Sequence, residues 1–357
     1  MIEVKAPGKL YLAGEYAVVE PGYPAVIVAV DQFVTANLTA SPSATASQVT
    51  SEQFPTSKLT WFWEIETIHF STDDSNLNFV KQAIINTEQY CLEQQIPLQN
   101  YRLTLDSQLV QAGKKYGLGS SAAVTVATIK AILKFYNCKL SLLEIFKIAA
   151  LTHYQVQGNG SLGDVAASVY GGWIAYTSFD RTWLRQQTSA TITSLLASDW
   201  PALKITPLTP PADLSLLIGW TGSPASSKKL VAAIKKSQLA QPAAYQKFLT
   251  ASKNSVLELI TGLQNGNYEI IFTALQNNRQ ALLTLSRLSG VEIETPLLNK
   301  LVSTALNYQI SAKSSGAGGG DCGIALTQKS HPKINTLLKT WEANQIQVLP
   351  FKVWNLN

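Results

Sequence analysis

Residues 115–124 read Lys115-Tyr-Gly-Leu-Gly-Ser-Ser-Ala-Ala-Val124, a glycine-serine loop that runs straight into a helical pattern extending to about Tyr136. Gly117 and Gly119 let backbone approach an anion without side-chain obstruction, and Ser120 and Ser121 add hydroxyls at the positive end of the helix. Phosphate binding is the chemistry such a loop supports, and a nucleotide is its natural ligand. Gly117-x-Gly119-x-x-Ala122 also satisfies the dinucleotide fingerprint, with alanine in the last place. Two other glycine-rich segments, Ala6-Pro-Gly-Lys-Leu10 and Ser314-Ser-Gly-Ala-Gly-Gly-Gly-Asp-Cys-Gly323, suggest backbone converging on one ligand. Against the dinucleotide reading, Gln111-Ala-Gly-Lys-Lys115 stands between the preceding strand and the glycines, where that fold needs them directly after the strand. No Gly-Lys-Ser/Thr completes a Walker pattern.

The elements that must position these loops alternate between strand and helix patterns. Residues 2–6 alternate as a strand that Pro7-Gly8-Lys9 is expected to break, residues 10–19 resume an apolar stretch, and 25–37 form a valine- and isoleucine-rich strand. The polar stretch 41–57 is expected to be an exposed turn or flexible loop. Leu77, Val80, Ile84 and Ile85 fall on one side of a helix over 76–93. Ser141-Leu-Leu-Glu144 is a capping box that announces another helix, and a glycine-broken loop, Gly158-Asn-Gly-Ser-Leu-Gly-Asp164, follows it. The polar, proline-containing stretch 181–211 is the expected boundary between two halves. Helical patterns cover 226–236, 243–263, 268–288, 297–308 and 333–344, with strands at 214–220, 324–327 and 346–351. The order argues for an α+β protein and against a regular βαβ alternation.

A chain of 357 residues, 46% hydrophobic and 14% charged, can bury a large core in two domains or one composite unit. The net charge of +5 is dispersed, and Lys114-Lys115, Lys228-Lys229 and Lys235-Lys236 do not make the continuous basic stripe that nucleic acid requires. An anionic small substrate suits the balance better. Cys91, Cys138 and Cys322 lack the spacing of a disulfide framework or a zinc site. The opening Met1-Ile-Glu-Val-Lys5 has no signal-peptide apolar region, and no apolar run approaches a membrane span. The expectation is a cytoplasmic protein with neither nucleic-acid nor membrane partners, a monomer or homodimer.

The segments Lys5-Ala-Pro-Gly-Lys-Leu-Tyr-Leu-Ala-Gly-Glu-Tyr-Ala-Val-Val19, Gly117-Leu-Gly-Ser-Ser-Ala-Ala123 and Lys313-Ser-Ser-Gly-Ala-Gly-Gly-Gly-Asp-Cys-Gly-Ile-Ala-Leu326 resemble the three motifs of the GHMP kinases, in family order and spacing. The resemblance covers nearly the whole chain. Tyr16, where many relatives carry histidine, the Gly320-Asp321-Cys322 ending, the Asn159–Asp164 loop and Gly219-Trp-Thr-Gly222 are most similar to the phosphomevalonate kinase branch. The resemblance implies a GHMP kinase fold: an N-terminal α/β domain of a ribosomal-protein type, 1–205, then a ferredoxin-like C-terminal domain, 206–357, with the site in the cleft between them. It also implies transfer of a phosphoryl group from ATP, with Mg2+, to 5-phosphomevalonate. Mevalonate kinase is the nearest enzymatic alternative, and a non-catalytic sensor or nucleic-acid-binding protein on the same fold is the other.

Within that resemblance, Lys9 is the candidate for the positive charge that offsets two anions brought together, and Asp164 is the family's candidate base. A phosphate monoester has a second pKa of about 6, so roughly nine-tenths of it is ionised at neutral pH. Asp164 is therefore expected mainly to hold Lys9 and the substrate in place. Lys115, Gly117, Leu118, Gly119, Ser120, Ser121 and Ala122 would cradle ATP. Tyr16, Ser161, Ser226, Ser227, Lys228, Gly316, Ala317 and Gly318 would meet the substrate. In mevalonate kinase a magnesium-binding glutamate lies upstream of the catalytic aspartate, and the corresponding place here is near His153. Ser120 is therefore the candidate metal hydroxyl, with phosphate oxygens and waters completing the shell. Trp61, Trp63 and Asn78 are read either as an adenine border or, for the tryptophans, as aromatic core.

Overall fold

In the computed structural model, which describes residues 1–42, 46–51, 59–65, 67–111, 114–222 and 227–356 and at 111, 114, 115 and 227–229 the backbone alone, the first glycine motif lies inside a strand. Strand β1 (Ile2–Ala13) alternates in exposure up to Lys5 and is buried from Ala6 onward. The break expected at Pro7-Gly8 is instead a register shift. Pro7 faces Phe33 and Gly8 faces Val30, so the partner strand bulges and β1 continues past its proline.

That partner, β2 (Pro24–Ala40), pairs antiparallel with three strands: β1, β6 (Tyr101–Ser107) and β9 (Trp173–Thr177). Beyond β6 the sheet runs through β3 (Ser47–Ser51), β4 (Leu59–Glu64) and β5 (Thr67–Phe70), and beyond β9 it ends at β10 (Lys204–Leu208). Among the described residues only β3 with β6 is parallel. Residues 47–51 are thus a strand within the stretch expected to be a loop, held by β6 on one side and β4 on the other. A two-stranded hairpin of β7 (Val110–Gln111) and β8 (Lys114–Lys115) precedes the central glycine loop.

Four helices cover one side of this sheet: α1 (Asn78–Glu93), α2 (Ser120–Phe135), α3 (Leu142–Gln157) and α4 (Gly163–Tyr170), with α2 and α4 lying on β1. The capping box at Ser141 forms as expected, Ser141 accepting from the Glu144 amide while the Glu144 carboxylate accepts from the Ser141 amide at 2.7 Å. Trp61 is a core residue, and Trp63 is half-buried at the core's edge. Their indole N–H groups donate to the buried Glu88 of α1 at 3.2 and 2.6 Å, and the Tyr101 hydroxyl donates to it at 2.7 Å. Burial pushes the Glu88 carboxyl up to about 6, against the pull of those three donors.

The stretch 181–211, expected to be a boundary, carries α5 (Arg181–Gln186), α6 (Ile192–Ala197) and β10. The division expected at 205/206 falls inside β10, and the chain passes to a second sheet over residues 209–213. There β11 (Leu214–Trp220), β12 (Ser311–Ser314), β13 (Cys322–Gln328) and β14 (Gln347–Leu349) pair antiparallel in the order β12-β13-β11-β14. The accompanying helices are α7 (Ser227–Ala240), α8 (Pro242–Asn265), α9 (Tyr268–Ser289), α10 (Pro296–Asn307) and α11 (Ile334–Ala343). On α9, Ile271, Ala274, Leu275, Asn278, Ala281, Leu282 and Leu285 recur at helical spacing and are buried, against α8 in particular. The α+β expectation holds, and no helix among the described residues is long and apolar enough to cross a membrane.

After β14 the chain returns to the first sheet. The Asp31 amide donates to the Lys352 carbonyl at 2.9 Å, the Trp354 amide to the Ala29 carbonyl at 3.0 Å, and the Gly172 amide to the Trp354 carbonyl at 2.7 Å. Trp354 packs edge-on against Phe33. One apolar core accordingly includes residues of both sheets, from Leu10 and Val28 to Ile218 and Ile324.

Candidate active site

Each glycine motif touches another at a glycine. A Cβ at Gly8 would lie 3.0 Å from Leu118, and a Cβ at Gly117 would lie 2.5 Å from the Asp321 side chain. Gly119 adopts the left-handed conformation, φ 79 and ψ 46, as the residue before α2. A Cβ there would sit 3.1 Å from Lys9 Cε and 3.3 Å from Asp164 Cβ. The three segments therefore converge, and the space of one missing methyl group separates the phosphate-type loop from both chemically charged candidates.

Lys9 is held from both ends. Its backbone amide donates to the Leu118 carbonyl at 2.9 Å, and its Nζ donates to the Gly117 carbonyl at 3.1 Å while lying 5.5 Å from the Tyr11 ring centroid. Asp164 lies in the first turn of α4, where its Oδ1 accepts from the Val165 amide at 3.0 Å. Among the described residues no ion pair joins Lys9 to Asp164, so the direct hold expected between them is not made. The lysine is placed by loop carbonyls, and among the described residues no carboxylate pairs with it.

Lys9, Asp164, Tyr16, Ser161, Gly316 and Ala317 line one cavity, which His153 and Glu15 also border. Ser120 and Ser121 line a second with Asn76, Phe79 and Ser107. A 3.1 Å hydrogen bond between Ser121 Oγ and His153 Nε2 links the walls of the two. Burial lowers the pKa of His153, with the nearby Asp164 acting against it, so the ring is neutral at pH 7. Gly119 offers no side-chain cap, which leaves the first amides of α2 available to an anion.

Motif three closes the first cavity from the second sheet. The Tyr16 hydroxyl donates to the Ala317 carbonyl at 2.5 Å, and the Ser315 hydroxyl donates to the Tyr11 carbonyl at 2.8 Å. Burial, and then Glu15, push the Tyr16 phenol upward, which keeps it a donor. Tyr11 and Glu15 escaped the sequence reading. Tyr11 hydrogen-bonds Ser161 Oγ at 2.8 Å, and its place two residues beyond Lys9 on a strand was the available signal. Glu15 pairs with the fully buried Lys313 at 2.5 Å, and the only hint was a carboxylate inside an apolar run. Gly318 does not line the cavity but seats motif three: the neighbouring Gly319 amide donates to the Ile293 carbonyl at 2.9 Å, against which Gly318 packs. Ser226, and the side chains of Ser227, Lys228 and Lys115, lie outside the described residues.

The family model for the GHMP kinases N terminal domain matches residues 78–172, and that for the GHMP kinases C terminal domain matches 259–343. A phosphomevalonate kinase of a Streptomyces species is 35% identical over 97% of this chain and 95% of its own. The solved structure of a Lin0012 protein from Listeria innocua is 37% identical with a TM-score of 0.92, over 98% of this chain and 97% of that one. The Streptococcus pneumoniae phosphomevalonate kinase, solved in complex with phosphomevalonate and AMPPNP, is 30% identical with a TM-score of 0.86, over 99% of this chain and 100% of that one.

Proposed function

The chain belongs to the GHMP kinases, and on that premise we propose that it transfers the γ-phosphoryl group of ATP to 5-phosphomevalonate, giving 5-diphosphomevalonate and ADP. The observation that carries the reading is Gly119, pressed between Lys9 and Asp164, because a nucleotide seated on the loop would present its terminal phosphate to both. ATP would occupy the cavity with Ser120 and Ser121, its phosphates at the amides of α2. The acceptor would occupy the cavity of Tyr16, Ser161 and Ala317.

The acceptor phosphate is already an anion at neutral pH, so the chain's task is to bring two anions together. Lys9 bridges the attacking and transferring oxygens with its ammonium group, preorganised by the Gly117 carbonyl. Asp164 orients the acceptor, and any proton still on the phosphate passes to its carboxylate. The Tyr16–Ala317 bond holds motif three against the cavity.

Mg2+ would accompany ATP and, when bound, supply positive charge that offsets the charge of its phosphates. The donors present fit it: serine hydroxyls and Asp106 on the nucleotide cavity and Asp164 on the other, for an ion that keeps most of its shell as water and phosphate. Ser120 would hold it, since the Ser121 hydroxyl is engaged with His153. The test is ATP consumption with mevalonate and 5-phosphomevalonate offered separately. Turnover of 5-phosphomevalonate alone is expected. Turnover of mevalonate alone would make the chain a mevalonate kinase, and no turnover together with tight, salt-sensitive RNA binding would make it a non-catalytic binder.

A further inference from the structure

Beside the acceptor cavity lies another, sharing with it Tyr16, Val19, Asn159, Gly160 and Val231, so the two adjoin along those residues. Arg181, Arg185 and Lys235 line its wall. Among the described residues none of the three has a carboxylate within ion-pair distance. Two acids line the same cavity, and both are engaged. Asp180 accepts from the Thr182 and Trp183 amides at 2.7 and 3.4 Å, and Glu20 accepts from Gln238 at 3.3 Å. Arg181 is the best placed of the cations. It is half-buried, and its Nη1 donates to the Gly160 carbonyl at 2.7 Å, which fixes the guanidinium to the loop bearing Ser161 and Asp164. Arg185 and Lys235 are exposed, and Arg185 is turned to Thr182 at 3.3 Å.

An arginine anchored by one nitrogen keeps its other donors for a planar anion, which its fork matches two-for-two. Lys9 and the amides of α2 account for the phosphates, whereas among the described residues that line the acceptor cavity no cation besides Lys9 is offered to the acceptor's other end. We infer that Arg181 is the specificity-determining residue for the acceptor's carboxylate, so that 5-phosphomevalonate lies with its phosphate at Lys9 and its carboxylate at the mouth shared with the Arg181 cavity. The inference rests on the functional reading above and adds to it the requirement for an acid at the far end of the acceptor.

The experiment compares 5-phosphomevalonate with its carboxamide, in which a neutral amide replaces the carboxylate, in wild type, Arg181→Met and Arg181→Lys. Wild type should prefer the acid by about 10²-fold in kcat/KM, the scale of a lost charge-assisted pair. Arg181→Met should raise KM for the acid by a similar factor, leave KM for ATP unchanged and abolish the preference for the acid over the amide. Arg181→Lys, which keeps the charge and a donor for Gly160 but not the fork, should fall between. Equal losses toward acid and amide in both variants would mean that Arg181 only braces the 158–164 loop, and would overturn the assignment. A wild type inert toward the acid would instead overturn the functional reading, and this inference with it.

Discussion

Replacing Gly119 by alanine tests the convergence on which the site depends. The added Cβ meets Lys9 Cε at 3.1 Å and Asp164 Cβ at 3.3 Å, so both neighbours must give by a few tenths of an ångström. The backbone at φ 79 adds a cost of about 1–2 kcal/mol for any residue with a Cβ. The flexible lysine yields first, and its Nζ then leaves the Gly117 carbonyl. Misplacement of a reacting group by about 1 Å can cost about 10²-fold in rate, so a smaller displacement should lower kcat by between about 10-fold and 10²-fold. Gly290→Ala is the control. Gly290 has φ 68 and nothing within 4 Å of a Cβ, so it carries the same backbone cost without touching the site. Urea unfolding should show similar destabilisation of both variants, and a phosphomevalonate-dependent ADP assay should show kcat reduced only in Gly119→Ala. Wild-type turnover by Gly119→Ala would mean that the loop does not press on Lys9 in the working enzyme, and the reasoning would fail.

Other outcomes follow from single contacts. Lys9→Met should lower kcat by roughly 10²-fold or more with little change in urea midpoint, as expected when a preorganised charge is lost, and near-normal turnover would remove Lys9 from that role. Glu88 has its pKa raised to about 6 by burial, from 4.5 when unfolded. The folded state therefore holds the proton more tightly. Its stabilising contribution is complete below pH 4.5 and is lost as pH rises through 6, by about 2 kcal/mol. Urea melts of wild type and Glu88→Gln between pH 4.5 and 7 should diverge by that amount, wild type weakening relative to the variant, and parallel curves would contradict the sign. Lys313→Met should destabilise by about 3–5 kcal/mol because it leaves the Glu15 carboxylate buried alone, and Glu15→Gln in the same chain should recover much of the loss.

Short-range signals in the sequence were reliable. The Ser141 capping box, the apolar stripe of α9 and the helix after Gly119 each follow from spacing within one or two turns. The glycine motifs were equally legible, because close backbone approach admits few other residues. Signals failed where partners were distant. Glu15 and Lys313 are 298 positions apart, and nothing in either neighbourhood announces the other. Pro7 read as a strand break because its missing amide is a local fact, whereas the bulge in β2 that accommodates it belongs to another strand. Residues 181–211 have the composition of a boundary since α5 and α6 are each only 6 residues long and are started by polar caps, Asp180 and Thr191.

The crossing of residues 352–354 back to the first sheet bears on how the protein comes apart. Val353 and Trp354 supply edge partners to Val30 and Ala29, the residues of β2 that face Gly8 and Lys9 on its other side. A segment that follows the second sheet thus braces the strand beside the catalytic lysine, and one apolar core includes residues of both sheets. Neither sheet is a separate cooperative unit, so loss of the second should carry the first with it, and urea unfolding should pass through a single transition.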